Sequence, residues 1–109
     1  MRTMSFLNNK AFEIFNGEEL AAIEHWFNYT QERKDLAVRF HDEDNFDSTY
    51  EKLSKDYWNQ LSGARKCLES IGVKIAFNWA GHRGKWFFPT EEDVEMQMDW
   101  EIQCTDYAD

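Results

Sequence analysis

The sequence predicts an α+β domain in which helices come first and a small antiparallel sheet follows. Two observations carry this prediction. Apolar residues recur every three or four positions over residues 48–71, and the apolar period changes to two after Gly72. Because the 109 residues include one proline, five glycines and no linker-like tract, we expect a single domain spanning residues 1–109.

The N-terminal part of the chain is predicted to be mostly helical. Residues 4–16 fit either a helix or a short strand, and we favour the helix. Residues 17–35 are predicted to form a helix because acids lie in the first turn and bases near the last, as the helix dipole prefers. Residues 36–40 are interpreted as a short strand or turn, and residues 41–45 as a polar loop.

The segment 48–71 is predicted to be a long amphipathic helix. Its apolar residues follow the helical period from end to end. Ser48 and Glu51 form a capping-box pattern at its start, and Gly72 is placed to end it. We expect its apolar stripe to pack against the sheet.

Three strands are predicted after this helix, in the order of an antiparallel meander. Residues 73–79 alternate between apolar and polar, residues 80–84 form a turn, and residues 85–88 return as a second strand. Residues 94–104 then alternate without a miss, which predicts a half-buried third strand. The polar face of that strand would consist of acids and amides alone.

The turn of the predicted hairpin is basic and carries a tryptophan on each side. Its glycines and lysine do not have the spacing of a phosphate-binding loop, so a plain hairpin turn is expected. Trp79 and Trp86 are placed to pair across the hairpin.

The charge of the chain is concentrated at its C-terminal end. The chain has 21 acidic and 12 basic residues, which give a formal net charge of −9. Residues 90–109 hold eight of the acids and none of the bases, so residues 1–89 are close to neutral. A field of one sign is a property that selects binding partners rather than a fold.

We interpret this acidic segment as a surface that binds a basic partner. Alternate residues of a strand lie about 6.8 Å apart, whereas DNA carries one charge per about 3.4 Å along each strand. The acids of one strand are therefore too widely spaced to imitate the charge density of DNA, and neighbouring acids would have to supply the missing charges. The alternative is that acids on an edge strand discourage aggregation by strand addition. The candidate partner-binding residues are Glu91, Glu92, Asp93, Glu95, Asp99 and Glu101, with Asp42, Glu43 and Asp44 as outer support.

The resulting hypothesis is a small acidic protein inhibitor that blocks a basic, nucleic-acid-handling partner such as a nuclease or a toxin. Two settings fit this hypothesis: a phage protein that disarms CRISPR or restriction defence, and an immunity protein that neutralises a toxin. The alternative is a non-catalytic structural or adaptor domain, which could be a homodimer. A net charge of −9 argues against direct nucleic-acid binding, and no apolar run approaches the ~20 residues of a membrane span.

No enzymatic activity, metal site or cofactor is expected from the residue patterns. The three histidines lack zinc-site spacing, and Phe46 and Asp47 break the calcium-loop pattern that begins at Asp42. Cys67 and Cys104 are too few for a disulfide scaffold, which favours a reducing, cytoplasmic compartment.

Overall fold

The computed structural model describes residues 8–44 and 48–107 of the chain. The helices in these ranges are α1 (Ala11–Ile14), α2 (Gly17–Asp44), α3 (Ser48–Ser70) and α4 (Glu91–Tyr107), and the strands are β1 (Ala76–Trp79) and β2 (His82–Phe87). The α+β class is confirmed, but the sheet has two strands instead of three, and a helix follows it. Within the described ranges, no helix combines the length and apolarity that crossing a bilayer requires.

Helix α2 is longer than predicted and absorbs the segments expected to be a strand or turn and a polar loop. It continues through residues 36–40 and ends at Asp44. The buried residues Phe27, Thr30 and Ala37 are spaced at three and seven positions, which places them on one helical face. Since no glycine or proline interrupts residues 18–62, nothing in the sequence forces this helix to stop earlier.

The helix predicted at residues 4–16 is confirmed in part, because α1 covers Ala11–Ile14. Residues 1–7 and 45–47 lie outside the described residues, and so does the side chain of Ser48 in the predicted capping box. Residues 8–10 and 15–16 are not α-helical, so the prediction is wrong for them, and only its residues 4–7 remain untested.

Helix α3 and its end at Gly72 are confirmed. Gly72 has φ of 81°, a backbone conformation that glycine adopts without a steric cost. Its N–H donates to the Glu69 carbonyl at 3.0 Å, and the Val73 N–H donates to the Leu68 carbonyl at 2.9 Å. This pair of hydrogen bonds is the Schellman motif, which satisfies the last carbonyls of the helix.

The hairpin is confirmed, but its register is not the one that was expected. Trp86 lies opposite Phe77, with ring centroids 5.1 Å apart, and Trp79 lies opposite His82. The predicted pairing of Trp79 with Trp86 is therefore wrong. The reason is the length of the turn. Only Ala80 and Gly81 connect the strands, so Trp79 pairs with His82, and Trp86 lies four residues further along β2.

The core is organised around Trp86, which is 4% exposed. The ring of Phe27 on α2 lies 5.0 Å from the Trp86 ring, and the Trp86 indole N–H donates to Gln31 Oε1 at 3.0 Å. Helix α3 lies along α2 and contributes Leu61 to the same core cluster. The apolar stripe of α3 therefore packs mainly against α2 instead of the predicted sheet, although Leu61 belongs to the same core cluster as Trp86.

Two asparagine side chains bind backbone groups of the hairpin region. Asn28 on α2 accepts the Trp86 N–H at 2.7 Å and donates to the Trp86 carbonyl at 2.9 Å. Asn9 does the same for Lys74, accepting its N–H at 2.9 Å and donating to its carbonyl at 2.6 Å. Each amide thereby satisfies one donor and one acceptor of the backbone.

Candidate functional site

The predicted third strand is wrong, because residues 94–104 lie within helix α4. Their alternation has period two, but the residues that are buried, Val94 and Gln97, are spaced as on a helix. Glutamate, glutamine and methionine favour helices, and acids are poor strand formers. Helix propensity and capping therefore outweigh the alternating pattern in this segment.

The start of α4 is fixed by a reciprocal cap between Thr90 and Asp93. Asp93 Oδ2 accepts hydrogen bonds from the Thr90 backbone N–H and hydroxyl, both at 3.0 Å, and the Asp93 N–H donates to Thr90 Oγ1 at 3.3 Å. Three acids occupy the first turn, where the positive end of the helix dipole stabilises them. The charge of this segment thus helps to form the helix that displays it.

Helix α4 is attached to the hairpin through one narrow face. Val94 is 1% exposed, and Gln97 Oε1 accepts the backbone N–H of Ala80 at 2.9 Å. Asp93 Oδ1 lies 2.9 Å from His82 Nε2 at the start of β2. These contacts fix the orientation of α4, and most of its described side chains on the other sides are exposed.

Four acids line the open side of α4, and we call them the acidic stripe: Glu91, Glu92, Glu95 and Asp99. All four are exposed. At 3.6 residues per turn they fall within a sector of about 100° around the helix. Throughout the described part of the chain, none of the four forms an ion pair with a lysine or arginine.

The remaining predicted site residues do not join this stripe. Asp93 is used in the cap and the His82 contact. Glu101 is half-buried on the attached side and accepts a hydrogen bond from Gln97 Nε2 at 3.5 Å. Asp42, Glu43 and Asp44 are the last residues of α2 instead of a loop, and their side chains lie outside the described residues.

A cleft beside the stripe was missed at the sequence level. It has a volume of about 400 Å³ and lies between the hairpin tip and α4, with Trp79, Arg83 and Trp100 in its lining. Trp100 and Met96, one helical turn apart, are 49% and 45% exposed. Their spacing of four was the available signal, but the strand prediction placed both side chains in the core.

The cap and the hairpin contact change the pKa of two carboxylates. Burial alone would raise the pKa of Asp93, but hydrogen bonds from Thr90 and His82 outweigh it and lower the pKa below its usual value. Burial raises the pKa of Glu24 on α2, against the opposing effect of His82 and Lys85. Ionisation of Asp93 therefore stabilises the fold, whereas ionisation of Glu24 destabilises it.

The lowered pKa of Asp93 gives a pH prediction. Its contribution to stability is present above the unfolded-state pKa of about 3.9 and is lost as the pH falls through the lower pKa of the folded state. We expect Asp93→Asn to cost about 1 kcal/mol at pH 7, as loss of a helix cap does, and less at pH 3. Urea unfolding at both pH values measures the difference. Glu24→Gln serves as a comparison, because it should raise the free energy of unfolding at pH 7 instead of lowering it.

The described residues show no group of three or more histidine, cysteine, aspartate or glutamate side chains that could hold a metal ion. No protein-family model, curated protein or solved structure is significantly similar to the chain.

Proposed function

We propose that the protein is an acidic inhibitor that binds a basic, nucleic-acid-handling partner through α4. The observation that carries the proposal is the acidic stripe, which is exposed and has no cationic side chain paired with it among the described residues. A chain of net charge −9 repels phosphate, so the complementary surface belongs to a basic protein.

The carboxylates of the acidic stripe are spaced more like the phosphates of nucleic acid than carboxylates on a β-strand would be. A helix rises 1.5 Å per residue, so the four carboxylates of residues 91–99 span about 12 Å of the axis. That is one charge per about 4 Å, close to the one per about 3.4 Å along a DNA strand. A groove that binds a phosphate backbone would therefore meet a similar density of negative charge.

The apolar side chains next to the stripe would add affinity that charge alone does not supply. Met96 and Trp100 are exposed on the sector of α4 between the stripe and the cleft. Exposed tryptophan is often the residue that dominates the energy of an interface, whereas charges at the rim mainly raise the association rate. We assign Trp100 the role of a central anchor and the stripe the role of steering.

Two biological settings suit this mechanism equally: a phage protein acting against a host defence nuclease, and an immunity protein acting against a toxin. Both targets handle nucleic acid in basic grooves. A cytoplasmic location is part of the proposal, and the free, exposed thiol of Cys67 agrees with a reducing compartment.

Charge reversal of the stripe tests the proposal. We expect Glu91→Lys, Glu95→Lys and Asp99→Lys together to lower the association rate with the partner by about 10–1000-fold, because electrostatic steering is lost. The partner is first captured from cell extract on the immobilised protein, eluted with a salt gradient, identified and purified. Association of the purified pair is then measured by surface plasmon resonance at several salt concentrations.

The matched control reverses three other exposed acids, Glu18, Glu32 and Asp56, and so changes the net charge by the same amount. It should keep most of the association rate. Equal effects of the two triple variants would show that net charge, not the stripe, drives binding. A partner whose binding is indifferent to both salt and the stripe would contradict the proposal, as would tight binding of DNA in a mobility-shift assay.

A structural or adaptor domain is the alternative proposal, but the structure excludes one way in which such a domain could dimerise. Edge-to-edge pairing of two copies through the last strand requires a strand at residues 94–104, and those residues are helical. Packing of two copies through the exposed aromatic side chain of Trp100 stays compatible with this alternative.

A further inference from the structure

Large apolar side chains are exposed on the side of α2 that faces away from the sheet. Tyr29 is 48% exposed, Leu36 and Phe40 are each 40% exposed, and Trp26 is 39% exposed. On α3, Leu53 is 37% exposed. We call these five residues the helical back face.

The α2 part of this face has the spacing of a helix-packing seam. The positions Ala22, Trp26, Tyr29, Arg33, Leu36 and Phe40 are separated by four, three, four, three and four residues. A repeat of 3.5 residues places side chains along one line that packs into another helix, knobs into holes. The residues that bury against the core, Phe27 and Gln31 among them, lie on a different side of α2.

Helix α3 continues the seam on the same side of the helical pair. Phe40 on α2 contacts Tyr50 on α3, with ring centroids 5.5 Å apart. Tyr57 is also near Arg33: behind the larger effect of the Tyr29 hydroxyl, it contributes to the raised pKa of the Arg33 guanidinium. Leu53 precedes Tyr57 by one turn of α3, so the face extends across both helices.

The sheet covers the opposite side of this pair. Lys34 Nζ lies 5.3 Å above the Trp58 ring, and Trp58 lines a cleft together with Trp86 of the core. Lys34 and Trp58 thus lie on the side of the pair next to Trp86, and the preceding residues, Arg33 and Tyr57, are rotated from them by about 100° around each helix. A two-helix layer that is covered on one side and apolar on the other is an incomplete packing arrangement.

We propose that a second copy of this chain covers the helical back face, so that two α2–α3 pairs form a four-helix bundle. The heptad spacing selects a helical partner, and the chain itself supplies helices of matching length. Helix α3 has 23 residues. The seam from Ala22 to Phe40 is about 27 Å long, so two helices about 10 Å apart present a footprint of about 540 Å². This corresponds to a weak dimer, since weak interfaces bury less than about 600 Å² per partner.

A polar pair at the centre of the α2 seam, Tyr29 and Arg33, gives the dimer its register. Arg33 donates hydrogen bonds from Nε and Nη2 to the Tyr29 hydroxyl at 3.0 and 2.9 Å. A single polar position within an apolar seam specifies the alignment of helices at some cost in stability. The dimer uses different residues from the acidic stripe, so each copy would keep its own α4 for another partner.

Sedimentation velocity of the full chain tests this proposal over concentrations from low micromolar to about 100 µM. We expect a species of twice the 13.1 kDa chain mass. Replacing Tyr29 and Leu36 with lysine should raise the dimer dissociation constant by about 100-fold, since each residue is expected to act as an interface anchor.

The control replaces Met96 and Trp100 on α4 with lysine, since these side chains are as exposed but lie outside the face. It should leave the dimer intact. If the Tyr29/Leu36 lysine variant fails to fold, the Tyr29→Ala/Leu36→Ala variant, which keeps helix propensity, should still weaken the dimer about tenfold. A monomer at the highest concentration, an unchanged dimer in the back-face variants, or a dimer dissociated by the α4 control would overturn the proposal. The acidic-stripe variants do not touch this surface, so the proposed inhibitor function stands or falls separately.

Discussion

Replacing Trp86 with alanine is expected to lower the free energy of unfolding by about 3–5 kcal/mol. Trp86 is 4% exposed and contacts the rings of Phe27 and Phe77 at about 5 Å. Its removal leaves a cavity and also leaves the Gln31 side chain without its indole donor. Small domains are stable by about 5–15 kcal/mol, so much of the fold's stability would be lost.

Urea denaturation followed by circular dichroism at 222 nm measures this loss as a lower midpoint. Trp86→Phe separates packing from hydrogen bonding, because it keeps an aromatic ring but lacks the indole N–H. We expect this variant to cost about 1–3 kcal/mol, mainly from the buried Gln31 acceptor left unsatisfied. Equal losses in the two variants would show that the ring contacts contribute little.

The Asn28→Ala substitution is expected to cost about 2–4 kcal/mol, a large effect for one half-buried polar residue. Asn28 bonds both the N–H and the carbonyl of Trp86, and each of these groups costs about 1–3 kcal/mol when it is left unsatisfied. Asn28→Asp should be similarly damaging, since a carboxylate can accept from the N–H but cannot donate to the carbonyl.

The control for this prediction is Asn59→Ala on the exposed surface of α3. It should change the free energy of unfolding by less than about 0.5 kcal/mol, as surface substitutions usually do. The same urea titration serves both variants. A cost for Asn28→Ala no larger than that of the control would mean that water replaces the amide without loss.

Elements with one consistent set of local signals were predictable from the sequence. Helix α3 has the helical period throughout and a glycine where it ends, and both features were confirmed. The hairpin combines alternation with a glycine at the turn, so its existence was predictable. Its register was not, because the register depends on the number of residues in the turn.

The segment that became α4 contained two conflicting signals. Strict alternation over residues 94–104 predicted a strand, while Thr90, Asp93 and the abundance of helix-forming residues favoured a helix. With three exposed apolar or aromatic residues among those described, Met96, Trp100 and Ile102, this helix does not bury a full apolar stripe. Periodicity therefore could not reveal it, whereas the capping pattern after Pro89 and the helix-forming composition could have done so.

The candidate site was predictable as a charge but not as a geometry. Composition placed the excess of acid in residues 90–109, and four of those acids are exposed together on α4. The sequence could not show that Asp93 and Glu101 turn toward the hairpin, because that depends on which side of α4 is attached. It also could not show Trp100 beside the stripe, since this requires the helical spacing.

The two asparagine amides have a consequence for the solubility of the sheet. Strands with free outer edges can recruit further strands and seed fibrils. Asn28 occupies the outward-facing N–H and carbonyl of Trp86 on one strand, and Asn9 those of Lys74, just before the other. An incoming chain that paired with β2 at Trp86 would first have to displace the Asn28 amide, so this side chain opposes templated polymerisation at that edge.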